Sequence, residues 1–204
     1  MSFEIVTWKL VCRTPLMQNR LDSLGSEGEI TKKGPTSPED IRAEAAKKLH
    51  VTADGRFFHP SQAFWSAWAD ACVGVKIGST SANTTLPPAV DIVEIETFLY
   101  DPTTLDKKEP RALGAKDWVV DSRPIQTSKG MIMSHRPRWN HWGALLLFEI
   151  DREVVPVKLD GVITKILNYA GRRGAGAGRL HKDTKNLSKW CGIGMGKFEA
   201  ELLK

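Results

Sequence analysis

The sequence predicts an α+β fold: a ferredoxin-like or RRM-like antiparallel sheet with helices on one face and two long loop insertions. Strand-like and helix-like segments follow one another in the order strand, helix, strands, helix, strand, which is typical of that class. Polar, turn-rich stretches at about 22–58 and 74–117 are the predicted insertions. With 204 residues, 41% apolar and 26% charged, the chain has a globular composition. A single domain spanning 1–204 is therefore expected.

The first 73 residues contain one predicted strand and two predicted helices. Residues 3–12 are rich in β-branched and aromatic side chains, which favours a strand. After a flexible segment at 25–38, Ser37 and Pro38 have the pattern of a helix start, and an apolar stripe follows at Ile41, Ala45 and Leu49. A second helix is predicted from Ser61 to about residue 73. Its apolar face contains Phe64, Trp65, Trp68 and Cys72.

The rest of the chain, from residue 74 onward, is predicted to hold most of the sheet. Residues 74–89 are expected to form a loop. Strands are predicted at 91–100, at 118–127, from 131 onward, at 144–150 and at 192–203. The second and third form a hairpin with a turn at 128–130, and Pro137 is expected to interrupt it. Asp160 is expected to cap a third helix that ends near residue 170.

The net charge of +5 is unevenly distributed along the chain. Residues 123–197 contain 14 Lys and Arg against 5 Asp and Glu, a net +9, and the remaining residues contain 15 against 19, a net −4. The basic stretch includes both glycine clusters and a segment that alternates arginine with tryptophan. This coincidence indicates an acidic partner such as nucleic acid, whereas a basic run alone is usually a solvated face.

A glycine and arginine segment follows the third predicted helix, with the sequence Gly171-Arg172-Arg173-Gly174-Ala175-Gly176-Ala177-Gly178-Arg179. Glycines let backbone N–H groups approach a ligand, and arginines bind phosphate oxygens through paired donors. The segment predicts a phosphate-binding loop; the alternative is a helix C-cap followed by a connector. The candidate binding residues here are Arg172, Arg173, Gly174, Gly176, Gly178, Arg179, Lys182 and Lys185.

Neither glycine cluster has the pattern of a nucleotide-cofactor loop. The dinucleotide-binding fingerprint follows a strand and opens a helix, whereas here the helix comes first. The second cluster, Gly192-Ile193-Gly194-Met195-Gly196-Lys197, lacks the Walker A spacing and the Ser or Thr after its lysine. No cofactor is predicted.

The segment Ser134-His135-Arg136-Pro137-Arg138-Trp139-Asn140-His141-Trp142 alternates cations with flat rings. Aromatic faces stack on unpaired bases while arginines hold the backbone, so this mixture suits single-stranded nucleic acid. Arg136, Arg138 and Trp139 are the candidate residues, and Trp139 is expected to stack on a base. The alternative is that the tryptophans belong to the core, which is favoured for Trp142.

A catalytic interpretation depends on the five histidines. An RNA-cleaving enzyme without a metal needs a general acid and base near the phosphate, and His135 and His181 are the candidates. No zinc-protease, paired-carboxylate or serine-hydrolase motif is present, so non-catalytic binding is favoured. The three cysteines form no metal-ligand pair, and no metal is predicted. No signal peptide or apolar span is apparent, which favours a cytoplasmic protein.

Three sets of motifs carry a resemblance to a known family. They are Arg13-Thr14-Pro15-Leu16-Met17, Arg136-Pro137-Arg138-Trp139 with Trp142, and Ala170-Gly171 with Gly174–Arg179 and Gly192-x-Gly194-x-Gly196-Lys197-Phe198. They resemble those of small tailed-phage proteins, which in turn resemble the RAMP superfamily that forms the RNA-holding backbone of CRISPR effector complexes. The resemblance covers both ends and the middle strands but not the insertions. After Gly178 the sequence departs from the phage pattern, with Arg179-Leu180-His181-Lys182 in place of Asp-aromatic-Arg-Pro.

The resemblance implies an RRM-like core, a glycine-rich loop that contacts RNA, and assembly along a strand. It points to Arg136, Arg138, Gly174, Gly176, Gly178 and Arg179, and its first motif adds Arg13. The expected partners are single-stranded RNA or DNA, further copies of the chain in an oligomer or filament, and a larger ribonucleoprotein complex, with no membrane. The expected location is the cytoplasm of a bacterial host, with a phage origin. Two alternatives stay open: a RAMP-type endoribonuclease, and a phage protein that joins or mimics a CRISPR effector complex.

Overall fold

The computed structural model describes residues 2–20, 37–127, 130–182 and 190–203 and shows a mixed α+β protein with antiparallel sheets. The predicted flexible segment up to residue 36, the turn residues Ser128 and Lys129, and Lys185 lie outside these ranges. The α-helices of the described ranges are α1 (Pro38–Ala46), α2 (Ser61–Cys72), α3 (Ala82–Thr85) and α4 (Asp160–Arg173). Short 3-10 helices span Pro87–Ala89, Pro102–Thr104 and Val157–Leu159.

The strands of the described ranges, in chain order, are β1 (Phe3–Cys12), β2 (Leu16–Met17), β3 (Phe58–Pro60), β4 (Lys76–Ile77), β5 (Thr80–Ser81), β6 (Val90–Ile92), β7 (Glu96–Tyr100), β8 (Trp118–Thr127), β9 (Gly130–Trp139), β10 (Gly143–Asp151), β11 (His181–Lys182), β12 (Trp190–Cys191) and β13 (Phe198–Leu202). The main sheet has the order β13-β1-β10-β7-β3, and β6 also pairs with β10. All of its pairings are antiparallel. The first and last strands of the chain are therefore neighbours.

Helices α2 and α4 pack on the same face of the main sheet. On β1 and β10, Trp8 and Phe148 lie on this face with their ring centroids 5.5 Å apart. Trp8 donates from Nε1 to the hydroxyl of Thr164 on α4 at 2.9 Å, and the ring of Trp68 on α2 lies 5.2 Å from Phe148. The large aromatic side chains that bury the most apolar surface thus join both helices to the sheet.

The predicted start of α1 and the predicted apolar face of α2 are confirmed, whereas Leu49, predicted on the stripe of α1, lies beyond the end of that helix. The backbone N–H of Asp40 donates to the hydroxyl of Ser37 at 3.0 Å, so Ser37 caps α1 and Pro38 follows as its first residue. In α2, Phe64, Trp68 and Cys72 recur every fourth residue and are fully buried. Both signals are local, because a cap and an apolar stripe act within one or two helical turns.

A smaller sheet, with the order β2-β9-β8, contains the predicted hairpin, but the predicted interruption at Pro137 is wrong. β9 pairs with β8 along its whole length, with Val120 opposite Pro137. The carbonyl of Pro137 accepts the backbone N–H of Gln18 at 3.1 Å, so the polar backbone groups of Pro137 face β2. The N–H that proline lacks would point towards β2. No hydrogen bond between β9 and β8 is therefore lost at Pro137.

Three element boundaries differ from the sequence predictions. Asp160 is the first residue of α4 and does not cap it, because its carboxylate accepts two hydrogen bonds from Arg152 at 2.6 and 3.1 Å. α4 also continues to Arg173. The strand predicted at 91–100 is two strands, since the chain bends outward between them and leaves Ile95 86% exposed.

The last predicted strand and the predicted loop at 74–89 also differ in the structure. Only Phe198–Leu202 of the region 192–203 is a strand, because Gly192, Gly194 and Gly196 have φ values of 98°, 73° and 68°, which are foreign to strands. The region 74–89 contains the ribbon β4-β5 and the short helix α3. Residues 192–197 consequently form a loop that reaches the site.

Candidate nucleic-acid interface

The glycine and arginine segment begins inside α4 and continues as a loop. Gly171 lies within the helix, where a Cβ atom would come within 2.1 Å of the carbonyl oxygen of Phe198 on β13. Glycine at this position lets the helix approach the strand. Gly174, with φ of 89°, ends the helix and donates its N–H to the carbonyl of Ala170 at 3.0 Å. The loop thus starts at Gly174, three residues after Gly171, the first glycine of the segment. Arg172 and Arg173 belong to the last turn of α4.

The loop 174–179 crosses the loop 192–197 at close range. A Cβ atom on Gly174 would lie 2.1 Å from the carbonyl oxygen of Met195, and one on Gly196 would lie 2.0 Å from that of Ala175. Both glycines have positive φ values, 89° and 68°. The glycines therefore serve first to let two backbones cross, a role that the sequence does not reveal.

The chain after β1 holds the two glycine loops together. The backbone N–H of Gly196 donates to the carbonyl of Pro15 at 2.7 Å, and that of Ala177 donates to Met17 at 2.9 Å. The hydroxyl of Thr14 donates to the carbonyl of Gly194 at 3.0 Å. The motif 13–17 and both C-terminal glycine motifs, which lie far apart in the sequence, are thus in direct contact.

Three clefts lie along α4 and the loop that follows it. The sheet cleft, of about 490 Å³, is lined by residues that include Lys9, Arg13, Asn168, Arg172, Glu199 and Glu201. The helix cleft, of about 520 Å³, is lined by Ala71, Val73, Gly74, Val75, Tyr169, Arg172, Arg173 and Leu180. The loop cleft, of about 430 Å³, is lined by Ala67, Asp70, Val73, Arg173, Gly174, Arg179, Leu180 and His181.

A smaller depression, the histidine pocket, lies on the other side of the loop. It has a volume of about 300 Å³ and is lined by Asn19, His50, His59, Ala63, Gly176, Ala177 and Arg179. Of these residues, the sequence predicts Gly176 and Arg179 as binding residues. His50, His59 and Asn19 come from segments far earlier in the chain, and no motif connects them to the loop.

Each of three arginines lines two neighbouring depressions. Arg172 lines the sheet and helix clefts, Arg173 lines the helix and loop clefts, and Arg179 lines the loop cleft and the histidine pocket. We refer to this continuous series as the arginine track. Within the described ranges Arg179 forms no ion pair, and the guanidinium carbon of Arg172 lies 5.5 Å from the ring centre of Tyr169.

The other predicted arginines occupy different surroundings. Arg13 lines the sheet cleft but forms an ion pair with Glu199. Arg138 forms an ion pair with Asp121 at 2.7 Å, and Asp121 is 6% exposed, so this guanidinium is engaged within the small sheet. Arg136 lies beside Gly178 at a cavity of about 200 Å³, and its Nε atom is buried without a hydrogen-bond partner among the described residues. Of these three arginines, only Arg13 lines a cleft of the arginine track; Arg136 and Arg138 lie elsewhere.

The expectation that Trp139 stacks on a base is wrong. Its side chain is fully buried, opposite Leu16 of β2 and Trp118 of β8, and its ring lies 5.0 Å from that of Phe57. A ring enclosed in this way has no face for a ligand. Trp142 is likewise buried, as expected. The half-buried aromatic ring on the arginine track is that of Tyr169.

The histidine candidates differ in accessibility. His135 is 6% exposed, and its Nδ1 atom lies 2.7 Å from the hydroxyl of Ser122. His181 is exposed in the loop cleft, where its Nδ1 atom lies 3.2 Å from the carbonyl oxygen of Arg179. The backbone of Lys182 lies next to it in β11. The enclosure of His135 leaves it without access to a phosphate.

His59, which the sequence does not single out, is the least satisfied polar side chain of the site. It is 4% exposed, and neither of its ring nitrogens has a hydrogen-bond partner in the part of the chain that the structure describes. Burial, assisted by the nearby His50 and Arg179, lowers the pKa of His59 to about 3. Burial also lowers the pKa of His50. Burial therefore favours the neutral form of both imidazoles.

Among the described residues no group of three or more His, Cys, Asp or Glu side chains is arranged to hold a metal ion. None of the described helices is long and apolar enough to cross a membrane. No protein-family model matches the chain, and no curated protein is similar to it. The resemblance to the phage proteins and the RAMP superfamily therefore depends on the quoted motifs alone.

Proposed function

We propose that this protein binds single-stranded nucleic acid, RNA in preference to DNA, without cleaving it, and that copies assemble side by side along the strand. The observation that carries the proposal is the position of Arg172, Arg173 and Arg179, each at the junction of two neighbouring depressions. A strand that follows the arginine track meets a guanidinium group at each junction. Arginine binds phosphate oxygens through paired donors, which suits it to this role.

The chemistry of the track fits an unpaired strand. Its arginines neutralise phosphates, and a base can stack on the ring of Tyr169 in the helix cleft when the Arg172 guanidinium, which lies over that ring at 5.5 Å, turns to a phosphate. Carboxylates also line the track: Asp70 shares the loop cleft with two arginines, and Glu199 and Glu201 line the sheet cleft. Stacking on a tyrosine tolerates any base, so the contacts of the track give affinity without sequence preference.

The arrangement of the larger elements supports an RRM-like assignment. β1, α2, β7, β10, α4 and β13 follow the β-α-β-β-α-β order of ferredoxin-like folds. We place the nucleic acid on the side of α4 and its loop, which is where the basic residues lie. The phage origin, the bacterial cytoplasm and a larger ribonucleoprotein partner belong to the same proposal and are supported by the quoted motifs.

The proposal is tested by the fluorescence anisotropy of a labelled single-stranded RNA at several salt concentrations. With three phosphates neutralised, the logarithm of the association constant is expected to fall with the logarithm of salt at a slope of about −2. Arg179→Ala is expected to weaken binding about tenfold for every sequence and to reduce the slope by about 0.7. Binding to a matched DNA strand is expected to be weaker.

Lys158→Ala is the matched control. It removes one positive charge at the opposite end of α4, roughly 20 Å from Arg173 by the rise of the helix. This variant is expected to bind as the unchanged protein does. Absence of binding at low salt, a salt-independent affinity, or an equal loss in both variants would contradict the proposal. RNA fragments that accumulate during the measurement would instead favour a nuclease.

A further inference from the structure

The histidine pocket has the features of a built site. Its volume of about 300 Å³ is at the lower end of the range for small-molecule sites and about ten times the share of one water molecule in the liquid. Glycine at 176 keeps the pocket open, since a Cβ atom there would lie 3.2 Å from Cε1 of His59 and 2.6 Å from the carbonyl oxygen of Met17.

The ring nitrogens of His59 have no hydrogen-bond partner among the described residues, so a ligand in the pocket could supply one. A buried polar group without a hydrogen bond costs about 1–3 kcal/mol, and such groups are rare in folded proteins. The ring of His59 is fixed by edge contacts with His50 and Phe64, at centroid distances of 5.9 and 5.4 Å. These contacts leave the ring nitrogens to a partner that the described residues do not supply.

The charges around the pocket narrow the chemistry of that partner. Arg179 lines the pocket, and the charge of Arg20 acts on His50, so a cation is repelled. Because the pKa of His59 is lowered to about 3, its ring at neutral pH has one N–H donor and one bare acceptor nitrogen. A phosphodiester group of the strand offers acceptors only and leaves that acceptor nitrogen unsatisfied. The side chains of the pocket therefore match a neutral group that carries both donors and acceptors.

We propose that the histidine pocket receives one base of the bound strand, with the polar edge of the base on His59 and Asn19 and its phosphate on Arg179. This inference rests on the proposed function and adds to it a base-binding site at the end of the arginine track. The flat rings of His50 and His59 and the amide of Asn19 form its walls. Bases presented on their hydrogen-bonding edges and held beside rings are the usual mode of single-stranded RNA recognition.

The experiment uses the whole protein and follows the imidazole signals of His50 and His59 by NMR. Nucleoside 5′-monophosphates, ribose 5-phosphate and inorganic phosphate are the probes. The monophosphates are expected to shift both signals in a saturable way, whereas ribose 5-phosphate and phosphate leave the His59 signal unchanged. Asn19→Ala, which alters a half-buried side chain at the rim, is expected to weaken monophosphate binding about tenfold, equivalent to one hydrogen bond.

Each other outcome has a definite meaning. Equal shifts of the His59 signal with inorganic phosphate or ribose 5-phosphate overturn the base site and indicate an anion pocket. Unchanged signals with all probes, in a protein that still binds RNA, overturn it and leave the proposed function standing. If the protein binds monophosphates but no RNA, the base site is supported and the proposed function is contradicted. Unimpaired monophosphate binding by Asn19→Ala removes Asn19 from the site and overturns the edge contact.

Discussion

The imidazole of His59 couples the stability of the protein to pH. Burial is the main cause of its lowered pKa of about 3, and His50 and Arg179 add to the effect. In the unfolded chain a histidine takes up a proton near pH 6.5. Between these two values the unfolded state binds a proton that the folded state excludes, so acidification favours unfolding.

We therefore predict that the free energy of unfolding falls as the pH decreases from 6.5 towards 3, with His59 contributing up to about 1.4 kcal/mol per pH unit. Urea denaturation of the unchanged protein and of His59→Phe over this range measures the contribution. Carboxylates titrate in both proteins and cancel in the comparison. Equal pH dependence in the two proteins would show that His59 is not held neutral.

Trp139 shows why the role of a single residue is harder to predict from the sequence than the position of a helix or strand. It lies between Arg138 and Asn140 in the sequence, and a tryptophan among polar residues is compatible with a stacking ring or with a core residue. Its burial is decided by Leu16 and Phe57, which reach it only through the fold. His59 presents the same difficulty, since neither its neighbours nor its spacing connects it to Arg179.

At the scale of elements, the sequence predicts what depends on local signals, such as the start of α1 and the apolar face of α2. The glycine clusters stand out in the sequence, but their structural role depends on contacts between segments distant in the sequence. The loops 174–179 and 192–197 cross so closely that each needs glycine where it meets the other. The glycines are evident in the sequence, whereas the crossing of the two loops is evident only in the structure.

This crossing predicts a large loss of stability for Gly196→Ala. The new Cβ atom would lie 2.0 Å from the carbonyl oxygen of Ala175, on a backbone with φ of 68°, so the two loops must separate. We expect the free energy of unfolding to fall by at least about 2 kcal/mol, measured by urea denaturation. Because the loop carries Arg179, RNA binding is expected to weaken as well.

Gly161→Ala is the matched control for this substitution. Gly161 lies in the first turn of α4, where a Cβ atom meets nothing within 4 Å. Alanine there favours the helix and is expected to raise the free energy of unfolding by up to about 1 kcal/mol. If the two substitutions had similar effects, the crossing of the loops would not constrain position 196.

At the scale of the whole molecule, the ends of the chain are joined in one sheet. β13 pairs with β1, and the motif 13–17 binds both glycine loops through backbone hydrogen bonds. The basic C-terminal residues are therefore held in place by the N-terminal segment. The sequence-based division of charge, with a net +9 in 123–197, identifies the basic surface but not what positions it.

Phe198 is the residue at which the joining of the last strand to the rest of the sheet is best tested. It is 1% exposed, and its ring lies 5.9 Å from Phe64 on α2 and 6.2 Å from Trp142 before β10, so it joins the last strand to both earlier parts of the core. We predict that Phe198→Ala lowers the free energy of unfolding by about 3–5 kcal/mol in a single cooperative transition. Ile95→Ala, at a position 86% exposed, is expected to change it by less than about 0.5 kcal/mol. Urea denaturation followed by tryptophan fluorescence and by circular dichroism measures both variants. A core that the last strand shares with the rest of the sheet loses its contacts in one step. Two separate transitions in Phe198→Ala would therefore show that the last strand folds independently of the rest of the sheet.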